Sequence, residues 1–180
     1  APEDLGHYTV YLPGYHDDVL MHFLRQFEVK WEVFSKHAKY AYRVDNVFIE
    51  PISQARFQES LISASGVLCG AGFELPSEAL FLGKKTMVIP MKGHYEQTCN
   101  ALGAAEVGAS TIAELDLIFH RQINYWLGQD KQAPLLYEDQ TEQILIDLLT
   151  QFEKQGKAAY QPLEEFQTLK QKLGLLRYFF

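Results

Sequence analysis

The amino-acid sequence predicts an α/β fold: a parallel sheet with helices covering both faces. Two observations carry that reading. Short β-rich runs alternate with segments of helical periodicity along the chain. The strand candidates are apolar throughout rather than alternating, the pattern of strands buried on both faces.

Each element can be justified in order. Tyr8 to Leu12 reads as the first strand, stopped by Pro13-Gly14. Asp17 and Asp18 offer an N-cap to a helix on which Val19, Leu20, Phe23, Leu24 and Phe27 recur at helical spacing. Trp31 to Phe34 and Val47 to Ile49 read as further strands. Ser53 is placed to cap a helix whose apolar face holds Phe57, Leu61 and Ile62. Val67 to Cys69 is a short apolar strand running into Gly70-Ala71-Gly72. The next helix passes through Ser77, Glu78, Ala79, Leu80 and Leu82, with Gly83 as its C-terminal cap.

Thr86 to Ile89 reads as a buried strand stopped by Pro90, and a helix runs from Tyr95 to Glu106. Thr111 and Glu114 have capping-box spacing ahead of a helix bearing Leu115, Ile118, Phe119, Ile123, Trp126 and Leu127, ended by Gly128. Gln129 to Pro134 is the best candidate for a long loop. A last helix carries Ile144, Leu145, Leu148, Leu149 and Phe152, and Gly156 closes it. The sum is a Rossmann-like, three-layer α/β/α architecture with no internal repeat. In such sheets ligands bind outside the carboxyl ends of the strands, near a topological switch point.

Composition narrows the class. The 180 residues suffice for one domain with a sizeable core, and the 47% hydrophobic and 22% charged content is that of a globular protein. A net charge of −7 argues against non-specific nucleic-acid binding, which needs a basic face. No apolar run approaches the roughly 20 residues that span a bilayer. Cys69 and Cys99 are too few for a secreted disulfide scaffold, so both are read as free, buried thiols in a reducing, cytoplasmic setting. No secretory signal opens the chain and it does not begin with Met, which suggests an excised piece. The six histidines have no paired metal-ligand spacing, and His16-Asp17-Asp18 is better explained as a helix cap than as a cation site.

Three segments that follow strands can carry chemistry. Gly70-Ala71-Gly72 lets a ligand approach the backbone, and the helix start behind it offers free N–H groups to a phosphate; a tight strand-to-helix turn explains the same glycines. Glu78, six residues past Gly72, could accept hydrogen bonds from ribose hydroxyls, or could simply stabilise a helix N-terminus. Glu96 and Gln97, in the run from Pro90 to Gln97 that leads to Asn100-Ala101, together can donate to and accept from vicinal sugar hydroxyls, or could simply form a solvated acidic turn.

Read as one pattern, G-x-G, E at plus six, L-x-x-G-K-x-x-x-V-I-P and E-Q-x-x-N-A resemble the donor-site signature of GT-B glycosyltransferases. The likeness is to the C-terminal halves of UDP-sugar transferases, including the peptidoglycan N-acetylglucosaminyltransferase, and its core runs from about Val47 to Gly108. The resemblance implies a nucleotide-sugar donor-binding domain over residues 1–180, with 157–180 a tail that docks on a missing N-terminal half. It implies that Gly70, Gly72 and the amides of Phe73 and Glu74 meet the diphosphate. Glu78 would hold the ribose, and Glu96 and Gln97 the transferred sugar. Phe48 and Ile49 would receive the uracil, and Gly14 and Tyr15 would form the glycine-rich turn near the phosphates.

The sequence departs from the pattern where many relatives have a phosphate-contacting His and this chain has Gly70; Lys92 or His94 could substitute, or either could be a solvated loop residue. Glu74 stands where many relatives have Asn or Thr, and its carboxylate is expected to point away from a diphosphate. The reaction implied is an inverting, metal-independent transfer from a UDP-sugar, with no cofactor. The general base lies in the missing half, so no catalytic residue is expected here and the chain alone should be inactive. Rival readings are half of a non-hydrolysing sugar-nucleotide epimerase and a non-catalytic interaction module of the same fold. The apolar aromatic tail, Leu175 to Phe180, suits either docking or completion of the domain's own core. Peripheral membrane association of the parent protein and dimerisation are open partner expectations.

Overall fold

The computed structural model describes the backbone of residues 3–155 and the side chains of residues 3–152. Two compact units divide the chain, Ala1–Leu136 and Tyr137–Phe180. The expected Gly156 stop and the docking tail at 157–180 lie outside the described residues. No helix among the described residues is long and apolar enough to cross a membrane.

The first unit is an α/β/α sandwich on one seven-stranded sheet. In chain order its elements are β1 (His7–Tyr11), α1 (Asp17–Leu24), β2 (Lys30–Ser35), β3 (Tyr42–Val44), β4 (Val47–Pro51), α2 (Gln54–Ser63) and β5 (Gly66–Gly70). There follow α3 (Glu74–Phe81), β6 (Lys85–Ile89), α4 (Tyr95–Glu106), β7 (Ser110–Thr111), a 3-10 turn (Leu117–Phe119) and α5 (His120–Leu127). The second unit holds α6 (Thr141–Gln155), where the apolar residues from Ile144 to Phe152 recur at helical spacing. The strand order is β3-β4-β2-β1-β5-β6-β7, and every pairing is parallel except β3 with β4.

Two apolar clusters form, one on each face, because successive strand residues point to opposite sides. On one face Tyr8, Val10, Leu68 and Met87 pack with Leu20, Phe23, Ile123 and Trp126 of α1 and α5. On the other, Val67, Cys69 and Val88 pack with Leu61, Ala79 and Ala101 of α2, α3 and α4. Trp31, Trp126 and Phe27 are fully buried. Burying a side chain of Val, Leu or Phe size stabilises by about 1.5–3 kcal/mol relative to leaving it exposed.

Several local expectations are corrected. Asp17 and Asp18 lie inside α1, whose cap position is His16; Asp17 instead accepts from Ser35 Oγ at the end of β2. Phe27 is core but lies beyond α1, in a turn where its N–H donates to Leu24 O. Thr111 is the last residue of β7 and not a helix cap; Asp116 caps the 3-10 turn by accepting from Ile118 N–H. Strand pairing won there because Thr111 completes the β6–β7 ladder opposite Val88. Cys69 is buried as expected, but Cys99 is exposed, because the buried face of α4 is formed by Ala101.

Candidate functional site

From β1 the chain runs outward through β2 and β4, then crosses back to β5 on the other side of β1. The direction reverses between β1 and β5. Their exits diverge, and the gap outside the carboxyl ends of the strands is the expected ligand position in this class of sheet. A crevice of about 170 Å³ occupies it. It is lined by Leu12, Pro13, Gly14 and Tyr15 after β1, by Gly70 at the end of β5, and by Ile89 to Lys92 with Gln97 after β6.

The β1 exit is a tight turn in which Tyr15 N–H donates to Leu12 O. The Tyr15 hydroxyl accepts from Leu115 N–H at 3.4 Å, which ties this turn to the segment after β7. A Cβ added at Gly14 or at Gly72 would meet no atom of the described residues within 4 Å, and neither residue has positive φ. The chain's own packing therefore does not demand glycine at these positions.

The β5 exit is clamped from two sides. Ala71 N–H donates to Ile89 O at 3.1 Å, and Asn100 Nδ2 donates to Ala71 O at 3.2 Å. Asn100, quoted above only as part of a motif, thus joins α4 to the turn that precedes α3. Helix α3 begins behind Gly72 with Phe73 at the cap position, and no side chain among the described residues caps it. Pro76 in the first turn has no N–H to offer. The amides at the head of α3 and the positive end of its dipole are left for an outside acceptor.

The β6 exit is a short hook. Met91 N–H donates to Gln97 Oε1 at 2.9 Å. A backbone N–H can only donate, so the amide oxygen faces the loop and the Gln97 NH2 group is the free end. Gln97 N–H in turn donates to His94 Nδ1 at 3.4 Å, so His94 serves as the N-cap of α4.

The structure therefore brings Gly14, Tyr15, Gly70 and Gln97 around one crevice. Gly72, Phe73 and Glu74 follow directly, at the uncapped start of α3, where Phe73 and Glu74 are exposed. Glu78, one turn farther along α3, and Glu96, in the first turn of α4, are exposed and do not line the crevice. Phe48 and Ile49 lie on β4, separated from β1 by β2. Ile49 is fully buried in the core, and Phe48 is half-buried with the Arg43 guanidinium 5.4 Å from its ring centre.

The motif lysine after Gly83 has a structural task. Lys84 Nζ donates to Ile62 O and Ala64 O and so caps the carbonyl end of α2, at the opposite edge of the sheet. A larger hollow of about 510 Å³, lined by residues such as Ser110, Arg121 and Tyr125, lies along the β7 edge. It lies at the edge of the sheet, away from the β1/β5 switch point, so the smaller crevice is the candidate site.

Comparison with known proteins agrees with this architecture. A family model described as glycosyl transferase family 1 matches residues 1–129. Among solved structures, the crystal structure of Acinetobacter baumannii MurG matches with a TM-score of 0.53 at 19% identity. The match covers 84% of this chain and 51% of that one, so the chain spans about half the length of that structure. No curated protein sequence matches the chain.

Proposed function

The chain belongs to glycosyl transferase family 1, and from that premise we infer that it is the donor-binding half of an inverting, metal-independent glycosyltransferase that takes a UDP-sugar. The observation that carries this reading is the crevice at the β1/β5 switch point beside the uncapped start of α3. A diphosphate needs donors and positive potential, and an uncapped helix start provides both.

Transfer begins when an acceptor hydroxyl attacks the anomeric carbon and the bond to the β-phosphate oxygen breaks. Negative charge grows on the leaving UDP. The amides of Phe73 and Glu74 stabilise that charge without a metal ion, because they are held in place before the reaction starts. Gly14, Gly70 and Gly72 let the diphosphate close on the backbone. Glu78 accepts from the ribose hydroxyls, and the half-buried Phe48 side chain packs against the uracil, while Ile49 stays enclosed in the core. Gln97 donates through its free NH2 and Glu96 accepts, so the pair holds vicinal hydroxyls of the transferred sugar. A base in a separate N-terminal half takes the acceptor proton. That half supplies the second wall: the crevice of about 170 Å³ is smaller than the ~300–1,000 Å³ of typical small-molecule sites.

Calorimetric titration of the chain with UDP tests the reading. One weak site is expected, with no transfer activity. Glu78→Ala should weaken UDP roughly fivefold, the scale of about 1 kcal/mol for a lost hydrogen bond. Absence of heat at millimolar UDP would exclude a donor site in this chain, and unchanged affinity in the variant would remove Glu78 from it.

A further inference from the structure

A dianionic pyrophosphate is a demanding ligand for this molecule. The chain carries a net charge of −7, and Glu74 and Glu96 stand in the first turns of the two helices that begin beside the crevice. Amides alone leave the ligand's formal charge unbalanced. Among the described residues lining the crevice, Lys92 is the one basic side chain. We propose that Lys92 is the counter-charge of the site, closing on the diphosphate of a bound nucleotide from the β6 side; the proposal rests on the donor-site reading given above.

The backbone around Lys92 is built as a fixed mount. Met91 to His94 forms a β-turn in which His94 N–H donates to Met91 O at 3.0 Å. Gly93 has φ of +77°, the value a type II turn requires at its third residue, and Lys92 occupies the corner before it. Both ends of the turn are pinned. Met91 N–H is held by Gln97 Oε1, and His94 accepts from the N–H groups of Gln97 and Thr98 through its ring and its carbonyl. A lysine on a preset turn loses only side-chain freedom when it meets the ligand, so more of the ion-pair energy appears as affinity. The same hydrogen bond that pins the turn aims the Gln97 NH2 outward. One loop thus presents an ammonium and an amide donor together, beside the β5 exit.

The test is calorimetric titration of uridine, UMP and UDP into wild type, Lys92→Gln and Lys92→Arg, each checked for an unchanged melting temperature. Lys92→Gln should weaken UDP by roughly tenfold or more, the scale of one lost charge-assisted hydrogen bond. It should leave uridine within twofold and flatten the dependence of UDP affinity on salt. Lys92→Arg should keep most of the UDP affinity. Wild-type UDP affinity in Lys92→Gln, or equal losses for uridine and UDP, would overturn the role of Lys92 while leaving the donor-site reading standing. A wild-type chain that binds none of the three would overturn both.

Discussion

Two cysteines show how one side-chain environment decides chemistry. Cys69 lies wholly inside the sheet's second core face, and burial pushes its thiol up to about 12. It stays protonated and unreactive at neutral pH, since the thiolate is the nucleophile. Cys99 is exposed on α4. A thiol reagent such as DTNB should therefore titrate one cysteine in the native chain and a second only in denaturant; two rapid equivalents without denaturant would contradict this burial. From sequence both thiols read as buried, because cysteine is usually an interior residue and residue type alone does not show which face of a helix a position occupies. Gln97 carries the same lesson at the site. Its place in the motif was legible; which end of its amide is free was not, because that depends on the Met91 N–H across a turn. Asn100 likewise gains meaning only from Ala71, a partner far away in the chain.

Elements were legible where periodicity and stop signals agreed. Helix α4 begins at Tyr95 and ends at Glu106, the limits its sequence predicts. Gly83 ends α3 as expected: it has φ of +69°, its N–H donates to Leu80 O, and Lys84 N–H donates to Ala79 O, the paired bonds of a Schellman cap. Gly83→Ala should cost about 1–2 kcal/mol, from the strained left-handed backbone and from a Cβ only 3.0 Å from Gln132 O. Chemical denaturation measures this, and a loss below a few tenths of a kcal/mol would contradict the cap. The edge strands were not legible. β7 is two residues long, and Thr111-x-x-Glu114 imitates a capping box. β3 is exposed along its length and turns into β4 through Asp45-Asn46, with Asp45 at φ of 53°, a hairpin lacking the usual glycine signal. Both errors lie at sheet edges, where short strands carry too little apolar pattern to be counted.

For the whole molecule, topology places the site. The chain-order reversal between β1 and β5 fixes a crevice at the carboxyl edge whatever residues line it. The motif residues then divide between tasks. Gly14, Gly70 and Gln97 face the crevice, whereas Lys84 and Asn100 hold the frame around it. The family match covers residues 1–129 and so falls within the first compact unit, which contains every candidate site residue. The central claim is that a nucleoside diphosphate binds at this edge, with its pyrophosphate at the start of α3. The most direct measurement is a 15N–1H NMR titration of the chain with UDP. The account predicts saturable shifts concentrated on the amides of residues 14–15, 70–75 and 91–97. Shifts gathered instead along the β7 edge, or none at millimolar UDP, would contradict it.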